Sequence, residues 1–258
     1  MNVLQAVLLG VVQGLTEFLP VSSSGHLVLM QHLLGLPEVG VSFDVLLHLA
    51  TLLAVVIYFR RELAQALLQR DWHLGRLLLV GSLPAAVLGL LLEDFFAALF
   101  HSVQAVGAAF LLTGVILYAA ERWGGRVQKS GGWQALGMQD AFFIGLGQAV
   151  AIIPGVSRSG STIAAGMARG IERTLAARFS FFLSIPVIAG AGLLELPHLW
   201  AEGAYYSPAA LAGGFIAAFL GGWLAISTLL AILQRWRLSL FSWYVWLLGL
   251  AILGGKWM

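Results

Sequence analysis

The side chains best able to do chemistry in this chain fall in two short stretches, "QGLTEFLPVSSSGH" at 13–26 and "PGVSRSGST" at 154–162. In the first, Ser23 and His26 stand three residues apart across a turn, a spacing that suits a nucleophile and its base. Gln13 and Glu17 are four apart on one helical face, where an amide oxygen and a carboxylate could hold a hard cation such as Mg²⁺. In the second, Arg158 brings planar donors suited to phosphate, with Ser157, Ser159 and Thr162 around it. Each stretch runs from a serine-rich turn into a new helix, so free N–H groups and the positive end of a helix dipole face the break. Such a helix start binds anions, and Ser22 and Ser24 sit within one. Plainer readings stand beside these. Serines cap helices constantly, and Arg158 could serve structure alone, pairing with Glu17 or capping carbonyls.

The setting makes these residues costly. Of 258 residues, 60% are hydrophobic and only 10% are charged, against about 25% charged in a soluble domain. Long apolar runs, rather than short alternating ones, point to an all-α integral membrane protein in a lipid bilayer. A net charge of +2 is too small to suggest a nucleic-acid partner, and with no cysteine there are neither disulfides nor thiolate metal sites. The opening "MNVLQA" lacks the basic region of a cleavable signal peptide. An arginine at membrane depth costs about 2.5–3.5 kcal/mol on insertion scales and therefore calls for an anionic partner.

Six stretches read as spanning helices, roughly 41–59, 77–95, 103–120, 179–196, 208–233 and 238–256. Two regions do not. Residues 3–19 stop at Pro20–Gly25 and resume only for 26–36; residues 141–153 stop at Pro154–Gly160 and then run to about 168. At about 1.5 Å per residue the second arms are too short to cross, so each region reads as a re-entrant helix–loop–helix hairpin. Hairpins that turn back place 12 of the 14 Lys/Arg on one side: Arg60, Arg61, Arg70, Arg76, Arg122, Arg126, Lys129, Arg169, Arg173, Arg178, Arg235 and Arg237. Lys256 lies opposite and Arg158 lies within a hairpin. The positive-inside rule makes the basic side cytoplasmic and puts both termini outside.

The chain also repeats. A shift of 135 residues matches Ala6 with Ala141, Gly10 with Gly145, Gln13 with Gln148, Val21 with Val156, and Ser22 with Ser157. It also pairs Ser24 with Ser159, Gly25 with Gly160, and Gly35 with Gly170. A single membrane domain, 1–258, then holds one repeat over about 1–125 and a second over about 136–258. Each comprises a hairpin and three spans, an odd number, so the second is inverted and the two tips meet near the midplane. Where the repeat breaks, Ser23 faces Arg158, His26 faces Ser161 and Glu17 faces Ile152. The first tip carries groups that attack and move protons, the second groups that hold anions.

"QGLTE" followed by "PVSSSGH", with "PGVSRSGST" in the second half, resembles the undecaprenyl pyrophosphate phosphatase, or bacitracin-resistance, family along essentially the whole chain. Its motif (E/Q)-x-x-x-E falls on Gln13 and Glu17. Its motif P-G-x-S-R-S-x-x-T falls on Pro154, Gly155, Ser157, Arg158, Ser159 and Thr162. The resemblance implies a hydrolase of the bacterial inner membrane that converts undecaprenyl diphosphate to the monophosphate near the periplasmic face. It implies dependence on a divalent cation, Mg²⁺ or Ca²⁺, and a part in recycling the cell-wall lipid carrier and in bacitracin resistance. On that basis Ser23, His26, Glu17 and Arg158 are the catalytic candidates. Ser22, Ser24, Gly155, Ser157, Arg158, Ser159 and Thr162 are the candidate phosphate holders, and Glu17 with Gln13 the candidate cation ligands. Attack by Ser23 with His26 as base, and direct attack by water with His26 as base or acid, both remain open.

Two other classes fit parts of the pattern. A lipid-phosphate flippase or anion transporter would use the same repeat and arginine. An intramembrane serine protease would use Ser and His, but no G-x-S-x-G elbow is present. His32 and His48 read as cavity-lining or core histidines, and His73, His101 and His198 as loop or interface residues. Glu93, Asp94 and Glu121 flank spans. Trp72, Trp123, Trp133, Trp200, Tyr205, Tyr206, Trp236 and Trp257 suit interfacial belts. Oligomeric state, a homodimer included, is left open.

Overall fold

Polar caps set where the helices begin, because each start leaves amide hydrogens that a short oxygen-bearing side chain can accept. The computed structural model describes residues 1–36, 41–92, 102–124, 128–202 and 206–255, with the side chains of residues 41, 196 and 198–202 left aside. Asn2 caps α1 (Val3–Phe18), Ser22 caps α2 (Ser23–Leu33) through Gly25 N, and Ser157 caps α8 (Arg158–Ala168) through Gly160 N. The others are α3 (Val41–Tyr58), α4 (Arg60–Leu68), α5 (Trp72–Leu91), α6 (Val103–Trp123), α7 (Met138–Val150), α9 (Arg173–Glu202), α10 (Pro208–Arg235) and α11 (Ser239–Gly254). Among the described residues there is no strand, only an isolated bridge between Lys129 and Ile171.

Among the described residues four helices, α5, α6, α9 and α10, are long and apolar enough to cross a membrane, and α3 and α4, bent by 67°, make a fifth if taken as one span. At ~1.5 Å per residue α11 is ~24 Å long, short of a ~30 Å hydrocarbon core. Both second arms start three residues earlier than hydropathy predicts, at Ser23 and Arg158. Capping converts the polar stretches into first helical turns, so Ser23, Ser24, Arg158 and Ser159 are helix-start residues rather than loop residues.

The 135-residue register extends to the elements. Shifting α2 by 135 gives 158–168, the bounds of α8; shifting α5 and α6 gives 207–226 and 238–258, which overlie α10 and α11. Packing follows suit, with α1 lying along α10 as α7 lies along α5, and with α6 on α11 and α3 on α9. Trp246 Nε1 donates to the carbonyl of Leu111, its partner under the shift, at 3.0 Å. The α1–α10 contact is close because Gly10 and Gly14 face Gly214 and Ala218, where any Cβ would run into backbone carbonyls.

Several of the basic residues predicted to share one side are held in ion pairs. Asp140 pairs with Lys129 at 2.7 Å and Arg169 at 3.0 Å, Arg173 with Glu121 at 3.7 Å, and Arg178 with Glu62. His73 bonds the carbonyls of Trp133 and Leu136. Trp72, Trp123 and Trp236 are exposed as belt residues should be, whereas Trp133 packs against Phe179 and Phe182. Glu93, Asp94, His101, Arg126, Tyr205, Lys256, Trp257 and the side chains of His198 and Trp200 lie outside the described residues.

Candidate active site

The two hairpin tips meet. Gly155 N donates to Ser24 Oγ at 3.4 Å, and Ser159 Oγ donates to the Leu19 carbonyl at 2.9 Å. Gly155 has φ +91° and sits so close to Val106 and Ala109 that a Cβ has no room. Gly25 is similarly confined, by Phe110 and Gly155. Ser22 holds φ 69°, a left-handed conformation uncommon outside glycine. That turn swings the chain from α1 back into α2 and brings Ser23 under the end of α1.

Glu17 is the centre. The residue is 5% exposed, and its carboxylate takes donors from both tips. Arg158 Nη2 donates to Oε1 at 2.7 Å; Ser23 Oγ donates to Oε2 at 2.6 Å, and Gln13 Nε2 to Oε2 at 3.0 Å. Ser23 and Arg158, matched by the repeat and each the first residue of its helix, thus grip the two oxygens of one carboxylate. Arg158 Nη1 donates to the Ser180 carbonyl at 3.2 Å, so both plain roles considered for it, pairing with Glu17 and capping a carbonyl, are filled. A short hydrogen bond to a carboxylate polarises the Ser23 hydroxyl and gives its proton a destination. The amides of Ser23 and Ser24, in the first turn of α2, meet no acceptor among the described residues, as is usual for the first N–H groups of a helix.

The expected Ser23–His26 pair does not form. His26 Nδ1 lies 2.7 Å from the Ser22 carbonyl and must donate to it; Nε2 lies 2.8 Å from the Tyr244 hydroxyl. Both ring nitrogens are engaged away from Ser23: residues three apart on a helix are neighbours, but the Ser22 carbonyl and the Tyr244 hydroxyl take up the imidazole. Glu17, not His26, is the group that accepts from the Ser23 hydroxyl.

The second tip is more saturated than its motif suggests. Ser157, Ser159 and Thr162 are at most 1% exposed. Ser157 Oγ caps Gly160, Ser159 Oγ holds Leu19, and Thr162 Oγ1 meets Ser180 Oγ at 2.6 Å. These hydroxyls fasten the tip. Ser22 Oγ is likewise used for its cap, whereas Ser24 is half-buried at the junction.

Gln13 and Glu17 are neighbours as expected, yet the donor set does not fit a resident divalent cation. Gln13 turns its NH₂ to the carboxylate, and both carboxylate oxygens already accept donors. No cluster of three or more His, Asp or Glu able to hold a metal occurs among the described residues. Gln13 Oε1 is buried without a partner, but one uncharged oxygen is too little for a divalent site.

Four contributors were missed or read blandly in the sequence. His48 Nε2 stands 3.6 Å from Glu17 Oε2, with Nδ1 donating to the Asp44 carbonyl at 2.7 Å. The signal was there: Asp44 and His48, four apart in an apolar helix, are intramembrane ionisable residues. Thr113 clamps the second tip by accepting from Ser157 N and donating to the Gly155 carbonyl, both at 3.1 Å. Ser180 and Tyr244 complete the set, and nothing local in their sequence singles them out.

Comparison with known proteins now bears on this geometry. The family model for bacitracin resistance protein BacA matches residues 6–251. The chain belongs to the BacA family. Within it, an undecaprenyl-diphosphatase from Carboxydothermus hydrogenoformans is 46% identical, over 98% of this chain and 97% of that one. Proteins of the same name from Halothermothrix orenii and Rubrobacter xylanophilus are 43% and 44% identical, covering 98% and 95% of this chain and 98% and 94% of theirs. As a BacA-family chain with these helices, it is a multi-pass membrane protein.

Proposed function

We propose that this chain hydrolyses undecaprenyl diphosphate to undecaprenyl phosphate and inorganic phosphate, regenerating a cell-wall lipid carrier and thereby conferring bacitracin resistance. The observation that carries the reading is the convergence of Ser23, Glu17 and Arg158 beside the first turn of α2, among apolar helices. A polarised hydroxyl, a carboxylate base and a guanidinium beside free N–H donors are what attack on a phosphoric anhydride requires.

The diphosphate binds with its terminal phosphate against Arg158 and the first turn of α2. Ser23 Oγ attacks the terminal phosphorus while Glu17 takes the hydroxyl proton. The bond from that phosphorus to the bridging oxygen breaks, and undecaprenyl phosphate leaves with the bridging oxygen. Water then attacks the phosphoserine, giving one proton to the departing phosphate and leaving the Ser23 hydroxyl restored by the proton held on Glu17. Any dependence on a divalent cation is placed on the substrate's own phosphate oxygens rather than on a protein cage.

The reading is tested by phosphate release from undecaprenyl diphosphate by the purified chain in detergent. Stoichiometric release is expected; binding without release would favour a flippase or transporter. The orientation is part of the proposal, with the basic end cytoplasmic and both termini and the site on the periplasmic side. Two inverted repeats account for it best. Single cysteines at the exposed positions Ser130 and Ser207 should react with impermeant thiol reagents from opposite sides of the membrane; labelling from one side alone would refute it.

A further inference from the structure

The two hairpins seat differently against their neighbours. Under the 135-residue register, α8 against α6 corresponds to α2 against α11. The first pair is closed: Gly155 fits against Val106 and Ala109, and a Cβ on Gly160 would meet Leu117. In contrast, α2 and α11 do not pack along one another; α6 lies beneath both, and its Phe110 meets the His26 ring edge-on at 5.1 Å. Across this gap runs the hydrogen bond between Tyr244 and His26, with the two rings nearly parallel at 6°. The register matches that pair with Ala109 and Ser161, which are 5% and 4% exposed. Tyr244, by comparison, is 48% exposed, on a face of α11 shared with the exposed Leu240, Trp243 and Leu247.

We propose that the gap between α2 and α11 is the route by which the prenyl chain of the lipid diphosphate passes between bilayer and active site, with Tyr244–His26 as its latch. This rests on the phosphatase reading. A diphosphate held at the first turn of α2 needs an apolar way out for its chain. The gap supplies one, with Ser23 and His26 at its inner edge, Phe110 as its floor and a lipid-facing apolar wall on α11. Opening it breaks one hydrogen bond and the ring contact between Tyr244 and His26. A second apolar groove, about 550 Å³ and lined by Val7, Val11, Leu15 and Ala217, does not serve. Leu15 is two residues from Glu17, about 200° round the helix, so that groove faces away from the site.

The test uses the intact chain in detergent and in bilayers. Tyr244→Phe keeps the ring and removes the latch, so KM for undecaprenyl diphosphate should fall about fivefold, the factor one ordinary hydrogen bond makes. The change should appear in KM rather than kcat, as expected when only binding is altered. In a second arm, Tyr244→Cys puts a lone thiol at the gap, since the chain has no cysteine. Undecaprenyl phosphate should protect that thiol from a membrane-permeant maleimide, whereas inorganic diphosphate should not. An unchanged KM, or a thiol left unprotected by the lipid, overturns the route. A wild-type chain that releases no phosphate sinks the phosphatase reading instead, and the protection arm still reports where the lipid lies.

Discussion

At the first hairpin tip Ser23, Ser24 and His26 are only half-buried, and Ser23 faces a carboxylate. At the second tip Ser157, Ser159, Ser161 and Thr162 are at most 4% exposed, and three of the four hydroxyls are spent on caps and interlocks. The backbones match, each an eleven-residue helix capped by a serine through the third residue beyond it. The difference lies in the side chains that follow. Where the second tip has Arg158 the first has Ser23, and the two reach opposite oxygens of Glu17. One fold element, used twice, thus brings a hydroxyl to Glu17 from one side and a guanidinium from the other. The second tip is the more closely packed, and the first is the more accessible.

This contrast can be broken most severely at the shared carboxylate. Glu17→Gln leaves Ser23 an oxygen to bond but removes the base, and turnover should fall about 10²–10⁴-fold, the usual worth of general base catalysis. Arg158→Lys keeps charge but cannot span Glu17 and the Ser180 carbonyl together. Its loss should be about 10²–10³-fold, as for removal of one preorganised donor. Steady-state phosphate release measures both, and a lysine variant near wild-type rate would make Arg158 a bulk charge. The smallest effect belongs to the scaffold. Ser157→Ala should lower stability by about 1 kcal/mol through loss of its cap, seen as a lower midpoint in thermal unfolding, with turnover nearly intact. A large rate loss at unchanged stability would mean that the second tip's hydroxyls handle phosphate after all.

Much of this was legible from the residues. Hydroxyls, a carboxylate and an arginine interrupting apolar runs announce a site, because lipid tolerates them only where they meet one another. The register that paired Ser23 with Arg158 also anticipated which serine was released from capping. What the sequence could not convey was who bonds whom. The Ser22 turn, with φ 69°, directs Ser23 to a carboxylate six residues earlier instead of to His26 three later. His26 finds Tyr244, 218 residues away, and Thr113 and Ser180 act only through the way α6 and α9 meet the second tip. Pairings of that kind are set by packing between distant helices, and no local spacing encodes them. His48 is the exception, since its i,i+4 relation to Asp44 in an apolar helix was readable.

The central claim is that Ser23, polarised by Glu17, is the nucleophile. Rapid acid quench of the enzyme turning over undecaprenyl diphosphate labelled in its terminal phosphate tests it most directly. The account predicts acid-stable label on Ser23 of the wild-type chain, none on Ser23→Ala, and a rate loss for that variant near 10³-fold, or about 4 kcal/mol of transition-state stabilisation. A wild-type chain that never carries label, together with a Ser23→Ala chain that loses less than about tenfold, or roughly 1.4 kcal/mol, would contradict it and leave water as the attacking group.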